Sequence, residues 1–237
     1  MNERMLALLK DGLSEMGLDA ENPGTQDVVS YLSLLLEKNK VMNLSAIREE
    51  DAAVRLHALD ALAIFGCLEL AGKSVLDVGT GGGVPGALLK LYAPEIRLSL
   101  LDSTTKKLAF VEQALSSLGA EAAFYPMRAE DLAHGKGREQ FDVVTARAVA
   151  ALPALCELCL PFVRVGGVFA AYKAASAMQE LEDAQGAISI LGGKALAPHG
   201  YEIPGEEGAR CIILIEKIKP TPALYPRPWA KIKQKNL

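Results

Sequence analysis

Apolar residues recur at three- and four-residue spacing over residues 2–17, at Met5, Leu6, Leu8, Leu9, Leu13 and Met16, which predicts a helix. The breaker Glu21-Asn22-Pro23-Gly24 ends it. Thr25 is placed to cap a second helix through Lys40, with Val28, Val29, Leu32, Leu35 and Leu36 on one face. Asn43-Leu44-Ser45 reads as a short loop, and a third helix is expected from about residue 49 to 65. The first 70 residues therefore read as an all-helical layer.

The period then changes. Short apolar runs at residues 74–78, 97–101, 121–125, 141–145 and 167–172 read as strands. Helical patterns at 87–91, 105–118 and 152–162 separate them. Strands alternating with helices predict βαβ units, an α/β fold and a mostly parallel sheet. A helix at 176–191 follows, then strand candidates at 194–203 and 209–218. The short Pro204-Gly205-Glu206-Glu207-Gly208 link makes that last pair antiparallel. The tail from Lys217 onward holds six lysines and arginines, no acid and four prolines, and is expected to be extended. This divides the chain into a helical layer (1–70), an α/β core (71–218) and a basic tail (219–237).

A chain of 237 residues with half of them hydrophobic can bury a core without staples. Its net charge of −4 argues against bulk coating of nucleic acid but permits a local basic patch. Four cysteines are too few for a disulfide scaffold, and Met1 to Lys10 has no signal-peptide pattern. The apolar runs are too short to span a membrane. A cytoplasmic monomer is expected.

The central motif is Asp77-Val78-Gly79-Thr80-Gly81-Gly82-Gly83-Val84-Pro85-Gly86, between a strand and a helix. Two registers compete. Gly81, Gly83 and Gly86 satisfy the dinucleotide spacing, but that register starts well past the strand and puts Pro85 inside the helix start. Asp77, Gly79, Gly81 and Gly83 form the other, with an acid at the strand end. A carboxylate suits a ligand carrying sulfonium and ammonium groups better than a pyrophosphate, which favours S-adenosylmethionine over NAD.

Other residues collect around that loop. Asp102 ends the second strand, where an acid can accept both ribose hydroxyls; its bland alternative is a helix N-terminal acid. Ala129-Glu130-Asp131 follows the third strand and could face an adenine, or be a capped turn. Arg147 ends the fourth strand and is suited to a phosphate or the cofactor carboxylate, or else to an ion pair with Asp102 or Glu130. Arg128, Arg210, Arg227, Lys231, Lys233 and Lys235 are candidate RNA contacts, with Tyr225 and Trp229 available for stacking. Cys156 and Cys159 have metal spacing but no partner pair, so they read as core fillers. His57 reads as a structural histidine within the helical layer, and no catalytic residue or metal site is assigned.

These stretches resemble one family. Asn39 to Ile47, His57-Ala58-Leu59-Asp60-Ala61-Leu62, the glycine loop, Leu101-Asp102-Ser103-Thr104-Thr105-Lys106-Lys107, Arg128 to Leu132, Thr145 to Ala150 and the Tyr225-Pro226-Arg227 tail are similar to the small-subunit ribosomal RNA guanine-N7 methyltransferases, the glucose-inhibited division protein B family. Lys38 and Val84 depart from it, standing where tryptophan and phenylalanine are common. The resemblance implies a Rossmann-like class I S-adenosylmethionine-dependent fold with an N-terminal helical layer. It implies methyl transfer to guanine N7 in a loop of 16S rRNA, on the small subunit or an assembly intermediate. It places cofactor contacts at Gly79, Val84, Asp102, Ala129, Glu130 and Arg147. A methyltransferase for another substrate class and a non-catalytic RNA-binding assembly factor remain the alternatives.

Overall fold

The change of period near residue 70 is where the architecture changes. A computed structural model of the chain describes residues 3–174 and 177–237. Helices α1 (Glu3–Glu15) and α2 (Thr25–Asn39) bury Met5, Leu9 and Leu13 against Val28, Val29, Leu32 and Leu35. The third helix is composite. It runs through α3 (Glu50–Ala53), a π turn (Val54–Leu59), α4 (Asp60–Leu62) and a 3-10 turn (Ala63–Gly66). The wide turn falls at His57, a departure from the regular helix that the spacing predicts.

The core alternates β1 (Ser74–Val78), α5 (Gly86–Tyr92), β2 (Arg97–Leu101), α6 (Thr105–Ser117), β3 (Ala123–Tyr125), α7 (Ala129–Ala133), β4 (Phe141–Arg147), α8 (Leu152–Cys159) and β5 (Val163–Lys173). It closes with α9 (Ala177–Asp183), α10 (Gln185–Ile190), β6 (Gly193–Ala195), β7 (His199–Tyr201), β8 (Arg210–Lys217) and α11 (Trp229–Gln234). The described residues form one eight-stranded sheet in the order β3-β2-β1-β4-β5-β8-β6, with β7 also on β8. Strands β1 to β5 are parallel, and β8 runs antiparallel to its neighbours. Strand order reverses between β1 and β4, which opens a crevice at their carboxyl ends.

Both faces of the sheet are covered, so its strands are apolar on both faces apart from a few buried polar residues, Asp77, Ser99, Thr145 and Lys217. Val75, Leu98, Leu100, Val143 and Ile212 face the helical layer, α5 and α6. Their neighbours Leu76, Leu101, Val144 and Ile213 face α7 to α11.

Three expectations need correction. The strand candidate at 194–203 splits into β6 and β7, because Pro198 between them has no N–H to give the ladder. The helix at 176–191 breaks into α9 and α10 at Ala184, and its expected start, Ser176, lies outside the described residues. The tail turns at 222–225, where Tyr225 N–H donates to Pro222 O at 3.0 Å, and after Pro228 it forms α11, which buries Ile232. Lys217 does not belong to the tail: its side chain is fully buried, donating to Leu160 O (2.7 Å), Val163 O (3.0 Å) and Glu139 Oε1 (3.3 Å).

The tail is fastened to the core by Arg227, whose guanidinium makes a two-point contact with the buried carboxylate of Glu157 at 2.8 and 2.6 Å. Arg227→Ala strands that carboxylate in the core. Loss of a fully buried partner costs about 3–5 kcal/mol; Arg227 retains some water contact, so a loss of about 2–3 kcal/mol is expected in urea unfolding.

Candidate functional site

The glycine loop links β1 to α5 at the crevice. Gly79 N–H and Thr80 N–H donate to Leu101 O at 2.8 and 3.2 Å, tying the loop to β2. Gly79 has φ +72°, and a Cβ there would lie 2.6 Å from Val149 Cγ2. Gly83 has φ +86°, and a Cβ there would collide with the Tyr31 hydroxyl, which donates to Gly82 O at 2.8 Å. Side chains are thus excluded twice over, by backbone conformation and by space. Pro85 stands before α5 rather than inside it.

Asp77 has a different place from the one its register suggested. It is fully buried, and its oxygens accept from Thr145 Oγ1 (2.9 Å) and Gly86 N–H (3.1 Å). Burial pushes its carboxyl pKa up, against the pull of those hydrogen bonds. The acid locks the loop to β4 and α5 from behind and turns no oxygen toward open space. Gly81, Gly83 and Val84 likewise shape the loop, whereas Gly79 alone of the loop lines the cleft described next.

That cleft, of about 240 Å³, lies over the carboxyl ends of β1, β2 and β3. Val78, Leu101, Met127, Val149 and Leu158 give it apolar walls, and Asp102 and Glu130 give it two carboxylates. Asp102 Oδ2 accepts from Gly81 N–H (3.0 Å) and Oδ1 from Thr104 N–H (2.7 Å). It lines the cleft while its two oxygens are held by the glycine loop and by the turn that leads into α6. Glu130 Oε1 accepts from Trp229 N–H at 3.0 Å, and Trp229 itself lines the cleft. Ala129 lines the cleft, and Arg128 lies exposed at its rim.

Arg147 faces a second cleft, of about 440 Å³, between the sheet edge and the helical layer. Its guanidinium pairs with Asp60 Oδ2 (2.7 Å), not with Asp102 or Glu130, and donates to Leu56 O (2.8 Å) and His57 Nδ1 (3.0 Å). Arg210 reaches the same Asp60 at 3.3 Å, and the Tyr201 hydroxyl donates to it at 2.7 Å. His57 extends beyond the helical layer through Arg147. Arginine only donates, so Nδ1 accepts and Nε2 carries the proton that goes to Ser45 Oγ at 2.9 Å. The lining holds three cations, Arg147, Lys173 and Arg210; the two arginines share one carboxylate, Asp60, and Lys173 is paired with Glu180 at 2.7 Å. Consecutive residues divide the two clefts: Arg147 and Ala148 line the second, Val149 the first. Ala148 turns the chain there with φ +55°.

The remaining candidates scatter. Lys231, Lys233 and Lys235 are exposed on and after α11, whereas Arg227 is held by Glu157. Cys156 and Cys159 are fully buried in α8, and burial pushes both thiols up. Among the described residues no group of His, Cys, Asp and Glu is arranged to hold a metal, and no helix is long and apolar enough to cross a membrane.

The fold and the crevice define the Rossmann-like class I methyltransferase architecture. TrmN from Thermus thermophilus shares it with a TM-score of 0.51 at 19% identity, over 68% of this chain and 48% of that one. The ribosomal protein L11 methylase from Lactobacillus delbrueckii subsp. bulgaricus shares it at 0.51 and 17%, over 69% and 80%. A family model described as GidB, rRNA small subunit methyltransferase G, matches residues 24–205. Relatives named ribosomal RNA small subunit methyltransferase G are 43% identical in Geobacillus kaustophilus (91% of this chain, 92% of the relative) and 41% identical in Alkaliphilus metalliredigens (93% of each). The chain belongs to this family.

Sequence reasoning missed Asp60 and Trp229 as cleft residues. A lone acid in the apolar helix around Ala58-Leu59-Asp60-Ala61-Leu62 was a usable signal, because such an acid must be paired when buried. His57 is held neutral in this cluster: burial, then the neighbouring Arg147 charge, push its pKa down to about 4. The unfolded imidazole titrates near 6.5. Between those values the unfolded chain binds the extra proton, so stability rises with pH from about 4 to about 6.5 and is flat above. His57→Gln should shrink the difference in urea midpoint between about pH 5 and pH 7. An unchanged difference would mean that His57 does not titrate on unfolding.

Proposed function

We propose that this protein transfers a methyl group from S-adenosylmethionine to N7 of a guanine in 16S rRNA. The observation that carries the reading is the pair of clefts back to back across Arg147-Ala148-Val149, one apolar with carboxylates, the other cationic. The family name, rRNA small subunit methyltransferase G, supports the substrate class, and the resemblance of the motifs supports guanine N7.

The first cleft fits an adenosine. Its apolar walls suit a purine, Asp102 stands at the strand end where ribose hydroxyls can donate to it, and Gly79 contributes to the wall beside Val149. S-adenosylmethionine, when bound, supplies an electrophilic methyl group. Gly79, Asp102, Ala129 and Glu130 would hold it.

The second cleft suits the acceptor. Its cations attract the RNA backbone despite the acidic total of the chain. Arg147 serves this side rather than the cofactor. Guanine N7 has a free lone pair, so the protein need only align it for in-line attack and exclude water. The second cleft matches a base-free reaction: both His57 nitrogens are engaged, and Asp60 is paired with two arginines. The exposed lysines of α11 would add sequence-independent phosphate contacts. Since N7 lies in the deep groove of paired RNA, the target guanine is unpaired or turned out.

Tritium transfer from labelled S-adenosylmethionine onto small subunits and naked 16S RNA, with nuclease mapping, tests this. Label at one N7-methylguanine is expected; label on neither substrate refutes the RNA assignment. Asp102→Ala should weaken S-adenosylmethionine binding about tenfold in calorimetry, the scale of a lost hydrogen bond to a charged group. Arg147→Ala should cut methyl transfer at least about tenfold at saturating cofactor while leaving cofactor affinity within about threefold. A loss confined to cofactor affinity would return Arg147 to the cofactor side.

A further inference from the structure

The tail sequence suggested an extended segment whose cations contact RNA. Instead, residues 221–229 form a strap laid across the α7–α8 side of the first cleft. Arg138 donates to Tyr225 O (2.9 Å) and Pro222 O (3.1 Å). His134 Nε2 lies 2.7 Å from Pro226 O. Arg227 is clamped by Glu157 through both its backbone N–H (2.8 Å) and its guanidinium. The strap ends where Trp229 N–H donates to Glu130 Oε1, and α11 then anchors itself through buried Ile232.

These contacts deliver one side chain to the cleft. The half-buried indole of Trp229 packs against the apolar cluster beneath the strap and lines the cleft together with Met127, Ala129 and Leu158. Asp102 and Ser103 line the same cleft at the end of β2, whereas Trp229 is tied to Glu130 beyond β3. A flat aromatic wall beside a carboxylate is complementary to a purine with an exocyclic amino group.

We propose that Trp229 is an adenine-contacting residue of the cofactor cleft, and that the strap holding it is the wall that completes this cleft. The inference rests on the S-adenosylmethionine reading above. It adds a binding residue from outside the α/β core, beyond the strands and loops that supply the other contacts. It also gives the strap's many fastenings a purpose, since a stacking wall is effective only when its position is fixed before the ligand arrives.

Trp229 is the single tryptophan of the chain, so its emission reports on this position alone. The full-length protein is titrated with S-adenosylhomocysteine and, separately, with adenosine, exciting at the red edge of indole absorption and running calorimetry in parallel. The expected result is a saturable change in emission with both ligands, whose midpoint for S-adenosylhomocysteine matches the calorimetric Kd. Trp229→Phe should bind within about threefold of wild type, and Trp229→Ala should bind about tenfold more weakly. Should Trp229→Ala fail to fold, the wild-type emission still decides. Calorimetric binding with unmoved emission, or with wild-type affinity in a folded Trp229→Ala, overturns the proposal and leaves the cofactor reading standing. Absence of calorimetric binding to wild type overturns the cofactor reading, and this proposal with it.

Discussion

A fully buried carboxylate, that of Asp77, is the constraint on which the rest of the site depends. A carboxyl group without water must be met by hydrogen-bond partners, and here Thr145 on β4 and the backbone of Gly86 supply them. The two bonds join three elements that meet nowhere in the sequence: the end of β1, the middle of β4 and the start of α5. They set the height and direction of the glycine loop above the sheet. Gly79, Gly81 and Gly83 then adopt positive φ because the loop must turn within a space already bounded by Val149, Asp102 and Tyr31.

Asp60 plays the corresponding part in the second cleft. It holds Arg147 from β4, Arg210 from β8 and Tyr201 from β7 around one carboxylate. The helical layer is thereby joined to the sheet by ionic contacts at the crevice as well as by apolar packing beneath it. A buried ion cluster adds little net stability, because desolvation offsets most of the attraction. Its effect is positional: it fixes which way two arginines point and sets one of them, Arg147, against His57, whose burial is the main cause of its lowered pKa. The two carboxylates differ in placement: Asp77 holds the first cleft's loop from the rear, whereas Asp60 itself lines the second cleft.

The fold was legible wherever one periodicity ran uninterrupted. The first two helices and the alternation of strands and helices follow from spacing, since each burial face demands its own period, and the antiparallel closing pair follows from the short 204–208 link. Boundaries failed where a single residue overruled the pattern, as Pro198 did in splitting β6 from β7. They failed again at 229–234, where prolines upstream concealed a short helix that exists because Ile232 and Trp229 have a core to pack against.

The site was legible only in part. Gly79, Asp102, Ala129 and Glu130 line one cleft because each follows a strand, and parallel strands bring their carboxyl ends to one edge. That placement is a property of chain order, so the amino-acid sequence by itself determined it. Chain order does not say which way a side chain turns at the edge, or what arrives from elsewhere. Tertiary packing turned Asp77 inward, gave Arg147 to Asp60 and Arg227 to Glu157, and carried Trp229 from the tail to the cleft wall. Each of these rests on a contact between residues about seventy to a hundred positions apart, made only because buried charge and half-buried backbone must find partners wherever the folded chain presents them.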